Sequence, residues 1–283
     1  MRLALTATAV VALLAAPSAG AADAPLWEAG IGVAGLSFPD YRGSDHSRTY
    51  ALPAPYVVYR GDFFKADRHG LRGIFFKNDR IDLNMSVGAS LPVDSEDDSA
   101  RAGMPDLKPS VELGPSLEVN VWRAADRGAK LDLRFPVRGA FTVESHPRFI
   151  GGQFFPHANV DVADPFGMHG WNLGMLAGPV FTDSRYNRYF YEVRPEYAAP
   201  GRPAFSDTGS GYAGMQFLVA LSKRFPGFWV GGFARYDTLR DAAFEASPLV
   251  TSKRYVAAGI AISWIFKESS VRVPVTDRGE AYR

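Results

Sequence analysis

Two stretches and a scatter of histidines carry residue types that could do chemistry. Gly30-Ile31-Gly32-Val33-Ala34-Gly35 has the G-x-G-x-x-G spacing that lets backbone amides cradle a pyrophosphate. That fingerprint needs a strand before it, a helix after it and an acidic residue about 20 positions on. The following "LSFPDYRGSD" does not start a helix, so the nucleotide reading fails. Ser44-Asp45-His46 holds the side chains of a nucleophilic relay, but a relay needs three groups converging in space. Adjacent residues of these types suit an Asx or Ser turn, with Gly43 taking a positive φ. His46, His69, His146, His157 and His169 show no ligand spacing, and there is no cysteine. No G-x-S-x-G elbow occurs. The expectation is no catalytic residue, no cofactor and no metal.

The elements around these stretches are better defined. Met1-Arg2, the apolar run from Leu3 to Ala15 and the small residues around Ala19-Gly20-Ala21 read as a signal peptide cleaved after Ala21. The remainder would therefore be exported. With 31 basic and 30 acidic residues the net charge is +1, so there is no basic excess for a nucleic-acid partner. No later stretch approaches the roughly 20 apolar residues of a membrane helix. Aromatics and glycines are abundant, with 20 Phe, 12 Tyr, 5 Trp and 28 Gly. This combination leaves a large soluble β protein or an outer-membrane barrel.

Periodicity chooses between them. In Arg80 to Leu91, Ile81, Leu83, Met85, Val87, Ala89 and Leu91 share one parity, and the other is polar or glycine. Successive strand side chains point to opposite faces, so the segment has one oily and one wet face. The same alternation recurs in Ser110 to Trp122, Lys130 to Val143, Ala213 to Leu221 and from Val256 to Phe266. Runs of a dozen residues suit tilted bilayer-spanning strands better than the roughly 5–6 residues of soluble ones. Aromatics such as Trp27, Trp122, Trp171 and Trp264 sit near strand ends, where interfacial girdles belong.

The fold expected is all-β: a single antiparallel transmembrane β-barrel over residues 22–266, followed by a polar tail, 267–283. Strands are expected at 27–36, 50–60, 63–76, 80–91, 109–122, 129–143, 149–162, 171–181, 187–194, 211–223, 228–239 and 253–266. That is about 12, with 10 and 14 as the neighbouring even counts. On this reading Gly30, Gly32 and Ala34 are the small lumen-facing positions of the first strand.

The lumen parity carries Arg80, Asp82, Glu112, Glu118, Lys130, Asp132, Arg134 and Arg138. These would either fill a narrow interior with ion pairs or line a small-solute pore. The link between the fourth and fifth strands, "DSEDDSARAGMPD", holds Asp94, Glu96, Asp97, Asp98 and Asp106. Strand counting puts it beside the termini, as either a periplasmic docking loop for a basic partner or a solvated loop.

Two motifs near the ends then carry a resemblance. "FPDYRGSD", with Pro39, Tyr41, Gly43, Ser44 and Asp45, is followed by Pro53 and Pro55. Ser247-Pro248-Leu249-Val250 precedes an alternating last strand. Both resemble the MltA-interacting protein/OmpV family of outer-membrane proteins, as do "GLRG" at Gly70 to Gly73 and "AGMPDLKPSVELG" at Ala102 to Gly114. The chain departs from the family in carrying a polar stretch, Lys267 to Arg283, after the final aromatic. The resemblance implies a non-enzymatic scaffold, embedded in outer-membrane lipid, for periplasmic murein enzymes: a lytic transglycosylase and a murein synthase. The alternatives are a small-solute pore or a surface antigen or adhesin. A third class is an outer-membrane hydrolase using Ser44 and His46.

Overall fold

The computed structural model describes residues 22–61, 64–67, 70–78 and 80–275. The expected signal peptide, His69 and residues 276–283 lie outside them. The strands are β1 (Ala22–Pro25), β2 (Trp27–Pro39), β3 (Ser47–Arg60), β4 (Phe64–Asp67), β5 (Gly70–Lys77), β6 (Ile81–Ser90), β7 (Ser110–Arg123) and β8 (Ala129–Thr142). They continue with β9 (Phe149–Phe154), β10 (His157–Ala163), β11 (Trp171–Thr182), β12 (Gly211–Arg224), β13 (Phe228–Thr238), β14 (Arg254–Glu268) and β15 (Arg272–Val275). Among the described residues one α-helix, α1 (Ser184–Tyr191), interrupts the series.

Thirteen of these strands form one antiparallel sheet. It closes on itself, because β14 pairs with β2 while β9 and β10 both bridge β8 to β11. β9 and β10 thus share one position in the wall, and the ring has 12 positions. Closure pairs most strands along both edges, as a backbone in lipid requires, although among the described residues β3 meets β4 only at Tyr59 and Arg60 and β5 meets β6 only between Ile74 and Lys77. Among the described residues no helix is long and apolar enough to cross a membrane.

The expected alternation is present. On β14, Val256, Ile260, Trp264 and Phe266 are exposed to the outside, whereas Tyr255, Ala257 and Ser263 are buried inside. Ile31, Val33, Leu117 and Val137 are exposed in the same way on other strands. In water this would be a very large apolar surface; in a bilayer it is the solvated face. Ile260, near the middle of β14, is 73% exposed. Replacing it with Arg is expected to lower folding stability in lipid by about 2–4 kcal/mol. Urea titration of the barrel refolded into vesicles measures this.

The glycines of the opening stretch have a steric role. A Cβ on Gly30 or Gly32 would run into the carbonyl oxygens of Trp264 and Ile262 on β14. Small residues there let β2 and β14 approach closely at the seam that closes the barrel.

Two expected strands are corrected. The segment 63–76 is a hairpin, with Asp67 opposite Gly70, not one strand. Residues 187–194 are not a strand but overlap α1. The Asp183 side chain caps that helix by accepting a hydrogen bond from the Tyr186 amide at 2.7 Å. Asn187, Phe190 and Tyr191 are its buried residues, a helical rather than an alternating spacing. The aromatic run favours strand by propensity, and packing overrides it. One strand lost and one gained leave the count at 12.

The extra strand reverses the expected direction of the strands from β6 to β11, and the lost strand restores it from β12 on. Short connections, such as 124–128 and 225–227, then lie at the end that holds β1 and β15. The long ones, 40–46, 91–109, 183–210 and 239–253, gather at the opposite end. Past the barrel rim, the stretch that follows Phe266 first extends β14 by two residues to Glu268. It then pairs as β15 with β1 in a two-stranded ribbon.

Candidate functional site at the loop end and in the lumen

The buried apolar core is a plug at the loop end. Tyr41, Val93, Met104, Leu107, Phe190, Tyr191, Val193, Leu239, Phe244 and Leu249 form one cluster drawn from loops far apart in sequence. α1 sits across the mouth. Its N-terminus lies against β9, where a Cβ on Gly151 (φ +130°) would strike the Tyr186 amide. The Gly152 amide donates to Asp183 at 2.7 Å. The Tyr186 hydroxyl reaches down to Glu112 Oε1 on the lumen wall at 3.0 Å. Tyr191 stacks on Phe244 with centroids 3.7 Å apart and donates its hydroxyl to the Arg42 carbonyl.

The two terminal motifs meet in this plug. Pro39 is buried where β2 ends. The Tyr41 hydroxyl donates to the Leu249 carbonyl at 2.8 Å, across 208 residues of sequence. Burial, with Asp98 close by, holds that phenol well above the ordinary tyrosine value, so it stays a donor. Gly43 takes φ +103°, and its carbonyl accepts from the Ser252 amide and the Thr251 hydroxyl. The single Thr251 hydroxyl proton is shared between that carbonyl, at 3.2 Å, and the Asp45 carboxylate, at 2.9 Å. Ser247 Oγ donates to the Tyr191 carbonyl and accepts from the Leu249 amide; Pro248 and Val250 flank the fully buried Leu249. The motif residues are therefore the clasp between the first and last loops.

Ser44 is buried and donates to Asp98 Oδ2 at 2.7 Å. It accepts from the His46 backbone amide, while the His46 ring meets Asp40 at 2.9 Å. Serine and imidazole face different carboxylates, so the trio is a turn and not a relay. Ser44→Ala leaves the buried Asp98 short of a donor and is expected to cost the plug about 1–3 kcal/mol. Hydrogen exchange of the 40–46 and 91–109 amides should accelerate, with the strand amides unchanged.

The acidic link is corrected on two counts. It lies at the loop end, opposite β1 and β15, because the uncounted strand shifts it. Its carboxylates are also already used. Asp94 accepts from the Glu96 amide, and Glu96 from the Gly103 amide. Asp97 pairs with Arg48 at 3.0 Å, Asp98 holds Ser44, and Asp106 accepts from the Ser95 amide. Arg101, 3% exposed, pins the link to the helix by donating to the Phe190 and Pro105 carbonyls. The link is a packed loop at the loop end, and its carboxylates have partners within the chain.

The lumen charges form a ladder across β6, β7, β8 and β10. Glu118 and Arg134 are directly opposed, with Nε 3.4 Å from the carboxylate. Asn84 bridges Asp82 and Glu118. Lys130 reaches Asp132 at 3.5 Å and Asp161 at 3.8 Å. Arg138 donates twice to Ser86 and faces Glu112 at 3.7 Å. Arg80 is the exception: it is exposed in the turn before β6.

Besides Arg101 and Asp161, two buried charged clusters escaped the sequence reading. Glu28, fully buried at the ribbon end, meets Arg60 at 2.8 Å and Arg224 at 3.1 Å. Asp237, equally buried, lies between Arg42 and Arg235. Glu28 could have been found from its parity with Gly30 and Gly32. Among the described residues no group of His, Asp and Glu is arranged to hold a metal.

Comparison with known proteins follows from this geometry. The model of the MltA-interacting protein MipA family matches residues 31–266. No curated relative matches significantly. Among solved structures, a bacterial polysaccharide outer membrane secretin is 10% identical, covering 85% of this chain and 99% of its own, with TM-score 0.40. The CymD monoaromatic hydrocarbon channel is 10% identical over 88% and 68%, with TM-score 0.25. A Rhodopseudomonas blastica porin is 11% identical over 84% and 99%, with TM-score 0.14. The family match spans nearly all of the closed, apolar-faced barrel described above: the chain is an outer-membrane β-barrel and belongs to the MltA-interacting protein MipA family.

Proposed function

We propose that the chain is a non-enzymatic outer-membrane scaffold, exported by its first 21 residues, that holds a peptidoglycan-remodelling enzyme at the membrane. The observation that carries this reading is the family's description as MltA-interacting, which names a murein enzyme as partner. The geometry supports it from the other side. A mouth filled by a folded apolar plug and a lumen crossed by ion pairs suit an anchor better than an open channel. Bacterial barrels keep short turns and both termini in the periplasm, so the enzyme would meet the ribbon end. That end carries β1, β15 and the short turns, and not the acidic link.

The test is a pull-down from solubilised membranes, using the whole chain and a variant in which residues 272–283 are removed. Retention of a lytic transglycosylase by the whole chain and its reduction in the variant are expected. A whole chain that retains no murein enzyme contradicts the scaffold.

A further inference from the structure

Beneath the plug the lumen holds a cavity of about 560 Å³. That lies within the roughly 300–1,000 Å³ range of small-molecule sites. Four arginines line it: Arg42 from the first loop, Arg134 and Arg138 from β8, and Arg235 from β13. Ionisable groups inside a membrane protein are costly to keep there, and four arginines beside three carboxylates, Asp40, Glu112 and Glu118, around one cavity call for a reason.

The hydrogen-bond inventory supplies it. Each guanidinium offers five donors and no acceptor. The carboxylates on the same wall are largely engaged. Asp40 is taken by Arg48 and His46 at the rim, and Glu112 by Tyr186 and Arg138. Glu118 accepts from Asn84 and faces Arg134. Donors remain over. Arg134 makes no hydrogen bond at Nε or Nη2 and meets Glu118 and Asp132 only as ion pairs, at 3.4 and 3.6 Å. Nη2 of Arg42 makes none either; its Nε donates to the Tyr255 hydroxyl and lies 3.5 Å from Asp237, the carboxylate that Arg235 Nε meets at 2.8 Å. Aromatic rings share the lining with small and polar side chains: Phe38, Tyr41, Phe155, Tyr191 and Phe233 face the same space.

A donor-rich wall facing aromatic rings fits one class of ligand. We propose that this cavity binds a small organic anion, with a carboxylate or similar oxyanion on the arginines and an apolar body against the rings. Arginine forks match such oxyanions in geometry as well as charge. The site is separate from the ribbon end, so the scaffold reading and this one stand or fall independently.

The test uses the whole barrel in lipid nanodiscs and three probes of one shape: 1-naphthoate, 1-naphthamide and 1-naphthylmethylammonium. Isothermal titration against empty nanodiscs corrects for partition into lipid. Naphthoate is expected to bind at least about 10-fold more tightly than either counterpart. Arg134→Gln and Arg42→Gln should each weaken it by a similar factor, while Arg185→Gln on the outer surface of α1 leaves it unchanged. No saturable naphthoate signal above the empty nanodisc, or equal binding of all three probes, overturns the proposal. The probe comparison is made on the unaltered chain, so it decides the matter even where an arginine variant fails to fold.

Discussion

Replacing residues 184–209 with a short Gly-Ser bridge is expected to convert a silent barrel into a conducting one. The segment removes α1 and the side chains of Phe190, Tyr191 and Val193 from the plug. It also removes the acceptors that anchor neighbouring loops: the Phe190 carbonyl to Arg101 and the Tyr191 carbonyl to Ser247. With those gone, the loops 40–46, 91–109 and 239–253 lose the surface they share. The wall itself does not depend on the segment, because β11 and β12 pair along Trp171–Thr182 without it. The intact chain should give no single-channel steps in planar bilayers, and the variant should give frequent ones. A variant that folds and stays silent would mean that the ion pairs lower in the lumen close it by themselves. A single substitution gives a graded form of the same result. Tyr191→Ala deletes the stack on Phe244 and a hydroxyl bond to the Arg42 carbonyl. Loss of a buried aromatic costs about 3–5 kcal/mol, here drawn from the plug.

The second large effect lies at the other end. Glu28 is fully buried and is the shared carboxylate of Arg60 and Arg224. Glu28→Ala leaves two guanidinium groups facing each other in the closed end of the lumen. Removing one partner of a buried ion pair costs about 3–5 kcal/mol, mostly the penalty of the charge left behind. Arg224 keeps Glu268 at 3.4 Å and Arg60 keeps the Pro25 carbonyl at 2.7 Å, which places the loss at the lower end of that range. Glu28→Gln retains an acceptor and should lose less. The midpoint of urea unfolding in vesicles, read with intact chain as reference, orders the three. Equal stability of Glu28→Ala and the intact chain would show that solvent reaches this cluster.

The wall was legible in the sequence because parity is a strong constraint. A one-residue slip in Ile81 to Ser90 would put Asp82 and Asn84 into lipid, so the pattern has one consistent reading. The glycines of β2 were legible for the same reason. The loop end was not, because its order is set by partners far away. Ser44 finds Asp98 across 54 positions and Tyr41 finds Leu249 across 208, and nothing local announces either. The acidic link looked solvated because each of its carboxylates is matched by a neighbour that only the folded loop supplies. α1 was missed although Asp183-Ser184 is a helix-start signal, since its aromatics outweighed the cap. The hairpin at β4 and β5 was missed although Asp67 and Gly70 bracket its turn, because Phe63-Phe64 at one end and Ile74-Phe75-Phe76 at the other read as one long strand. That single omission turned the acidic link to the wrong end.

The account rests on the outer face of these strands being covered by lipid. The chain has no cysteine, so single cysteines can be placed one at a time from Val256 to Trp264 on β14 and spin-labelled in proteoliposomes. Collision rates with oxygen, which concentrates in lipid, should be high at 256, 258, 260, 262 and 264. They should be low at 257, 259, 261 and 263, with a water-soluble paramagnetic complex excluded from the first set. A flat profile, or easy access of the water-soluble complex to Ile260, would contradict the barrel's placement in the membrane and with it the roles argued for both of its ends.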